Sequence, residues 1–141
     1  MPDTFQLEVA TPERLFIDEQ VLQAELPGRN GQLGILAGHA PLLSALGPGV
    51  LSYTRYDRQQ FLAIDGGFVE VFENHVRVLA DHAEFSYDID VAAARRELDE
   101  AHDALRSAQD APASEAANHA IAKAQARLDA AARSSGETAS S

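Results

Sequence analysis

The chain has 141 residues, 45% hydrophobic and 23% charged, the balance of one folded domain with an appendage rather than of a disordered chain. It contains no cysteine, which excludes a disulfide framework, thiolate metal ligands and a cysteine nucleophile. Against 11 basic residues stand 22 acidic ones, and a net charge of −11 argues against nucleic acid and against direct lipid binding.

No stretch approaches the roughly 18 apolar residues of a membrane span. Met1-Pro2-Asp3-Thr4 lacks the basic and apolar regions of a signal peptide, so the chain is expected to stay in the compartment that made it. Composition changes near residue 87. Every glycine but Gly136 and every proline but Pro112 lies before it, and no aromatic residue follows Tyr87. The expected units are a strand-rich one over 1–87, a helical one over 88–133 and a disordered tail over 134–141.

Strands come first. Phe5, Leu7 and Val9 alternate with polar residues, the period of a half-buried strand, and Thr11-Pro12 ends it. Leu22, Ala24 and Leu26 form a second alternating run, stopped by Pro27-Gly28. Further runs are Val50–Thr54, Phe61–Ile64, Phe68–Phe72 and Val76–Leu79, separated by Tyr56–Gln60, Asp65-Gly66-Gly67 and Glu73-Asn74-His75. Short strands at this spacing predict a β-sandwich or barrel. At about 85 residues it is small, so part of its apolar surface is expected to be covered by the second unit or by a partner.

Helices follow. Val91, Ala94, Leu98, Ala101, Leu105 and Ala108 form a heptad seam, with Asp88 or Asp90 as N-cap. Asp110-Ala111-Pro112-Ala113-Ser114 interrupts it, Pro112 ending the first helix and Ser114 suited to cap the second. Ala117, Ile121, Ala124, Leu128 and Ala131 resume the seam, so the linker makes the two helices an antiparallel hairpin. Alanine fills many layers, a seam that fits an ordinary docked helical pair or, on a sharper reading, a hairpin able to form and weakly enough sealed to open.

Chemistry is scarce. The five histidines form no zinc-ligand spacing, and all but His39 read as scattered surface or turn residues. Gly28, Gly31 and Gly34 lack the Gly-Lys-Ser/Thr of a phosphate loop. No serine sits in a nucleophile elbow, and the carboxylates are spread over solvent faces. No catalytic residue and no metal site is predicted. This is the profile of a protein that binds, positions or regulates.

Several runs together resemble a known family. They are Thr11-Pro12-Glu13-Arg14-Leu15-Phe16, Pro27-Gly28-Arg29-Asn30-Gly31-Gln32-Leu33-Gly34, Gly38-His39-Ala40-Pro41-Leu42, Gly66-Gly67-Phe68-Val69-Glu70-Val71 and Asn74-His75-Val76-Arg77-Val78-Leu79-Ala80-Asp81. The chain resembles, over nearly its whole length, the epsilon subunit of the bacterial F-type ATP synthase. The resemblance implies a β-sandwich of about ten strands followed by a C-terminal antiparallel α-helical hairpin. It implies a non-catalytic central-stalk subunit, peripheral on the cytoplasmic side of the bacterial plasma membrane.

The implied partners are the gamma subunit, the c-ring and, in an inhibitory state, the alpha/beta catalytic head. The ring-facing loop maps onto Arg29, Asn30, Gln32 and His39, with Gln32 where the family often has Glu. The hairpin, folded on the sandwich, leaves catalysis free; extended along gamma, it blocks ATP hydrolysis. The family also offers ATP as a regulatory ligand, for which Glu84, Ile89, Asp90 and Arg127 match the motif while Ala93 stands where it carries Arg. A reading from another class is a free-standing β-sandwich binding module with a coiled-coil adaptor.

Overall fold

The computed structural model describes residues 3–140, with the side chains of 135–140 left aside. Eight strands precede two helices: β1 (Phe5–Ala10), β2 (Leu15–Val21), β3 (Gln23–Gly28), β4 (Gly31–Leu36), β5 (Leu42–Ala45), β6 (Gly49–Arg55), β7 (Arg58–Phe72) and β8 (His75–Phe85). A single 3₁₀ turn, Ser86–Asp88, leads into α1 (Val91–Ser107) and α2 (Ala111–Ser140).

The strands pair in the order β2-β1-β8-β7-β6-β3-β4, with β5 added to β7. Eight strands appear where about ten were expected because β7 and β8 each serve both layers. Phe68–Val71 of β7 pair with β5, and His75–Leu79 of β8 pair with β1. Arg58–Ile64 of β7 pair instead with β6, while Leu62–Ile64 pair with Ala83–Phe85 of β8. Two layers of five segments result. Asp65-Gly66-Gly67, expected to separate two strands, is a bend inside one. The β7–β8 register holds unshifted from Leu62↔Phe85 to Phe72↔His75. Gly66 (φ 75°) and Gly67 (φ 110°) turn the backbone where L side chains are strained.

The core lies between the layers. Phe5, Leu7 and Val9, inward on β1, meet Leu26, Leu51, Leu62, Ile64, Val69 and Val78, all nearly inaccessible. Among the described residues, the interior cluster draws only on those before the helices. Burying each such large side chain is worth about 1.5–3 kcal/mol, so the sandwich supplies its own hydrophobic stabilisation.

Both helices are capped by an aspartate. Asp90, not Asp88, is the N-cap of α1, its carboxylate accepting from the Ala93 amide at 3.0 Å. Asp110 performs this task for α2, accepting from Ala113 N at 2.8 Å, so Ser114 is not the cap and Pro112 falls in the first turn, where its missing N–H does no harm. Val91 is exposed at the start of α1, and the seam begins at Ala94. With no proline after Pro112 to stop it, α2 runs to Ser140, past the start of the expected tail at 134; Ser141 lies outside the described residues.

A Cβ at Gly67 would sit 2.0 Å from the Leu79 carbonyl oxygen and 2.7 Å from Ala80 Cα. Gly67→Ala is therefore expected to destabilise the protein by at least about 2 kcal/mol in urea denaturation. Gly34→Ala, whose Cβ would meet nothing within 4 Å, should stay within about 0.5 kcal/mol of the parent.

Candidate functional site

The Pro-Gly-x-x-Gly segment is a tight hairpin rather than an open loop. Gly28 and Gly31 are the last cross-strand pair of β3 and β4, leaving Arg29-Asn30 as a two-residue tip. A Cβ at Gly28 would strike the Gly31 carbonyl at 2.4 Å, which explains the glycine. The Arg29 amide donates to Ala45 O at 3.0 Å and Gly47 N to Pro27 O at 2.9 Å, bracing the tip against the segment after β5. Arg29, Asn30 and Gln32 are exposed, with Gln32 Nε2 donating to Glu25 Oε1 at 3.1 Å.

His39 does not join them. It follows the other end of β4, about 20 Å along the strand, because β4 carries the chain away from the tip. There Gly38 N donates to Asn74 Oδ1 at 2.8 Å, and Asn74 Nδ2 to Thr4 O at 2.7 Å. The His39 ring nitrogen Nδ1 lies 2.7 Å from Ala40 O. The four residues grouped by the resemblance thus occupy two places.

The helical pair docks through α2, on β6 and β7. Ala126 and Ala130, off the seam, are buried on α2, and Phe61 and Ala63 of β7 are buried outside the interior cluster. The Arg133 guanidinium sits 4.8 Å from the Phe61 ring centroid, in cation–π range. Arg127 joins three elements: Nε and Nη2 donate to Glu84 of β8 at 2.9 and 3.3 Å, and Nη1 to Glu97 of α1 at 2.8 Å. Its side chain is only 16% exposed, and the hydrogen bonds it donates to Glu84 raise its pKa against the opposing effect of burial. A second tie joins His119 Nε2 of α2 to Asp65 Oδ1 at the β7 bend, 2.7 Å apart. Glu97, Asp65 and His119 were not foreseen as site residues. The only local signal was that Glu97 and Arg127 each precede a seam leucine, Leu98 and Leu128, where charges flank a helix–helix core.

Between the pair and the sheet lies a cavity of about 690 Å³. Its charged lining is Asp65, Glu84, Glu97 and Glu100 against Lys123 and Arg127, with His82. ATP does not fit this lining. The Arg127 fork is already engaged by two carboxylates, Asp90 is committed to the α1 cap, and Ala93 offers no guanidinium. Arg95 and Arg96 are exposed. Ile89 lies in the connection, its amide 3.3 Å from Ser86 O. Four carboxylates would face a polyphosphate.

Residues 4–86 match the family described as ATP synthase, Delta/Epsilon chain, beta-sandwich domain. The chain is 50% identical to the ATP synthase epsilon chain of Solibacter usitatus over 70% of its own length and 74% of the relative's. It is 42% identical to that of a Synechocystis species over 91% and 96% of the two chains. Its fold is shared with a chain of the Euglena gracilis mitochondrial ATP synthase in an OSCP/F1/c-ring structure, at TM-score 0.81 and 24% identity, covering 93% of this chain and 82% of that one. It belongs to the ATP synthase epsilon chain family. The epsilon chain is a non-catalytic subunit of that complex.

Arg127→Ala, which strands Glu84 and Glu97, should lower stability by about 1–3 kcal/mol, and Arg127→Lys should recover only part because it keeps the charge without the fork. In thermal melts, millimolar ATP with magnesium should move the midpoint by less than about 1 °C.

Proposed function

We propose that this chain is a rotor subunit of a proton-translocating ATP synthase, coupling the c-ring to the catalytic head through gamma, with its helical pair a detachable brake on ATP hydrolysis. The observation that carries the brake is the separation of the two units. Among the described residues, no helical side chain enters the sandwich core, and the pair docks through alanines, a cation–π contact and the two ionic ties of Arg127 and His119. Such an interface can part without unfolding either side. No helix among the described residues is long and apolar enough to cross a membrane, so we read the attachment at the cytoplasmic face of a bacterial plasma membrane as made through partner subunits.

The gamma contact is supported by an apolar row on the outer face of the first layer. Phe68 of β7 lies between Ala45 of β5 and Leu79 of β8; Leu79 is in register with Ala10 of β1, which pairs with Leu15 of β2. Phe68 is 58% exposed, with Leu79, Leu15 and Leu43 comparably open. A row of this kind across five segments suits a protein partner. The tip at Arg29, Asn30 and Gln32, polar and braced, suits the ring, and His39 is left out of that contact.

Phe68→Asp should weaken binding to isolated gamma at least about tenfold, and Tyr56→Asp, at an exposed turn outside the row, should not. Replacing Arg29, Asn30 and Gln32 together with Ala should preserve folding and reduce proton-driven synthesis in membranes. Removing residues 88–141 from the assembled complex should raise ATP hydrolysis roughly twofold or more, with synthesis little changed. Unchanged hydrolysis would mean that the pair is not a brake.

A further inference from the structure

We infer that the Asp65–His119 contact is a proton-sensitive clasp that holds the helical pair on the sandwich more tightly below neutral pH than above it. Asp65 stands at the bend of β7 with its side chain only 10% exposed, and His119 of α2 closes over it at 2.7 Å. Asp65 is also the cross-strand partner of His82, which lines the same cavity from β8. One imidazole therefore contacts the nearly buried carboxylate, and a second stands at the neighbouring register position. The other charged groups facing this region are Glu84 of β8, Glu97 and Glu100 of α1, and Lys123 and Arg127 of α2. Glu115 lies one turn before His119 on its own helix.

The charges around the cavity decide the sign. Four carboxylates line the cavity against two permanent cations, and a proton on His119 beside it, or on His82, reduces that negative excess. Imidazole is the side chain whose charge changes between about pH 5 and 8. With a proton on His119, it and Asp65 form a charged pair across the docked interface. With His119 neutral, one hydrogen bond from the imidazole to the still-charged Asp65 carboxylate remains, and the negative excess of the lining is not offset. The Arg127 tie to Glu84 and Glu97 keeps its charges throughout, so it holds the pair while the clasp sets how firmly. Any effect on ATP hydrolysis rests on the brake proposed above; the clasp does not, and its test reads docking in the isolated chain, so the two can fail separately.

The chain has no cysteine, so Glu13→Cys and Ala104→Cys, both at exposed positions, accept a distance-sensitive dye pair on the full-length protein. Urea titrations of the dye signal at about pH 6 and about pH 8.5 give the docking equilibrium with His119 intact and in His119→Gln, which preserves a neutral donor. With His119 present, docking should be about three- to tenfold tighter than in His119→Gln at the lower pH and within about twofold at the higher. His82→Gln should show a smaller loss of the same sign. An equal gap at both pH values, or none at either, overturns the clasp.

Discussion

The structure depends on the bend in the β7–β8 hairpin. Two strands of 15 and 11 residues keep one unbroken register while passing from one layer to the other, which is possible because Gly66 and Gly67 take up positive φ at the crossing. One sheet is thereby folded over its own core. The same bend sets out the surfaces that matter. Phe68 and Leu79 emerge on the outer face immediately beyond it, and Asp65 projects to the opposite side, under α2. The end of β8 delivers the chain, through Ser86–Asp88, to the start of the helices.

Side-chain size separates the two units. The sandwich interior is built from Phe, Leu, Ile and Val, each worth a few kcal/mol when buried, whereas the helical pair buries chiefly Ala94, Ala101, Ala117, Ala124, Ala126 and Ala130. An alanine methyl contributes roughly 0.8 kcal/mol. Where apolar burial is this modest, directional contacts carry a larger share of the docking energy. Arg127 is placed to supply one, since it engages sheet and partner helix together from a largely desolvated position. His119 and Asp65 add another at the opposite end of the cavity.

Polar ties are also more responsive to solution conditions than methyl groups are. Salt screens them and protons remove them, while apolar contacts are nearly indifferent to both. In this acidic chain the helical unit is held to the sheet partly by such ties, whereas the sandwich core is held by apolar contacts. Elsewhere on the surface, Glu8 is drawn below the usual carboxylate range by hydrogen bonds from His75 and Arg77, a tie within the sandwich that leaves the helices untouched.

The amino-acid pattern by itself determined the division near residue 87, the inward face of β1, the heptad seam from Ala94 onward and the family motifs, because each is written in residues close together along the chain. Gly31 and Gly34 interrupt the alternation of β4 and hide it from a sequence pattern, and the glycines at the bend of β7 carry no side chain to show a period. On α2, alanines lie on every side, so periodicity could not tell the seam from the face that docks through Ala126 and Ala130. Tertiary structure alone decided that His39 stands apart from Arg29, and that Glu97 occupies the guanidinium of Arg127. It also brought Asp65 to His119 across 54 residues. These are contacts between elements that pack only after the sheet has folded over, and a one-dimensional pattern records no such meeting.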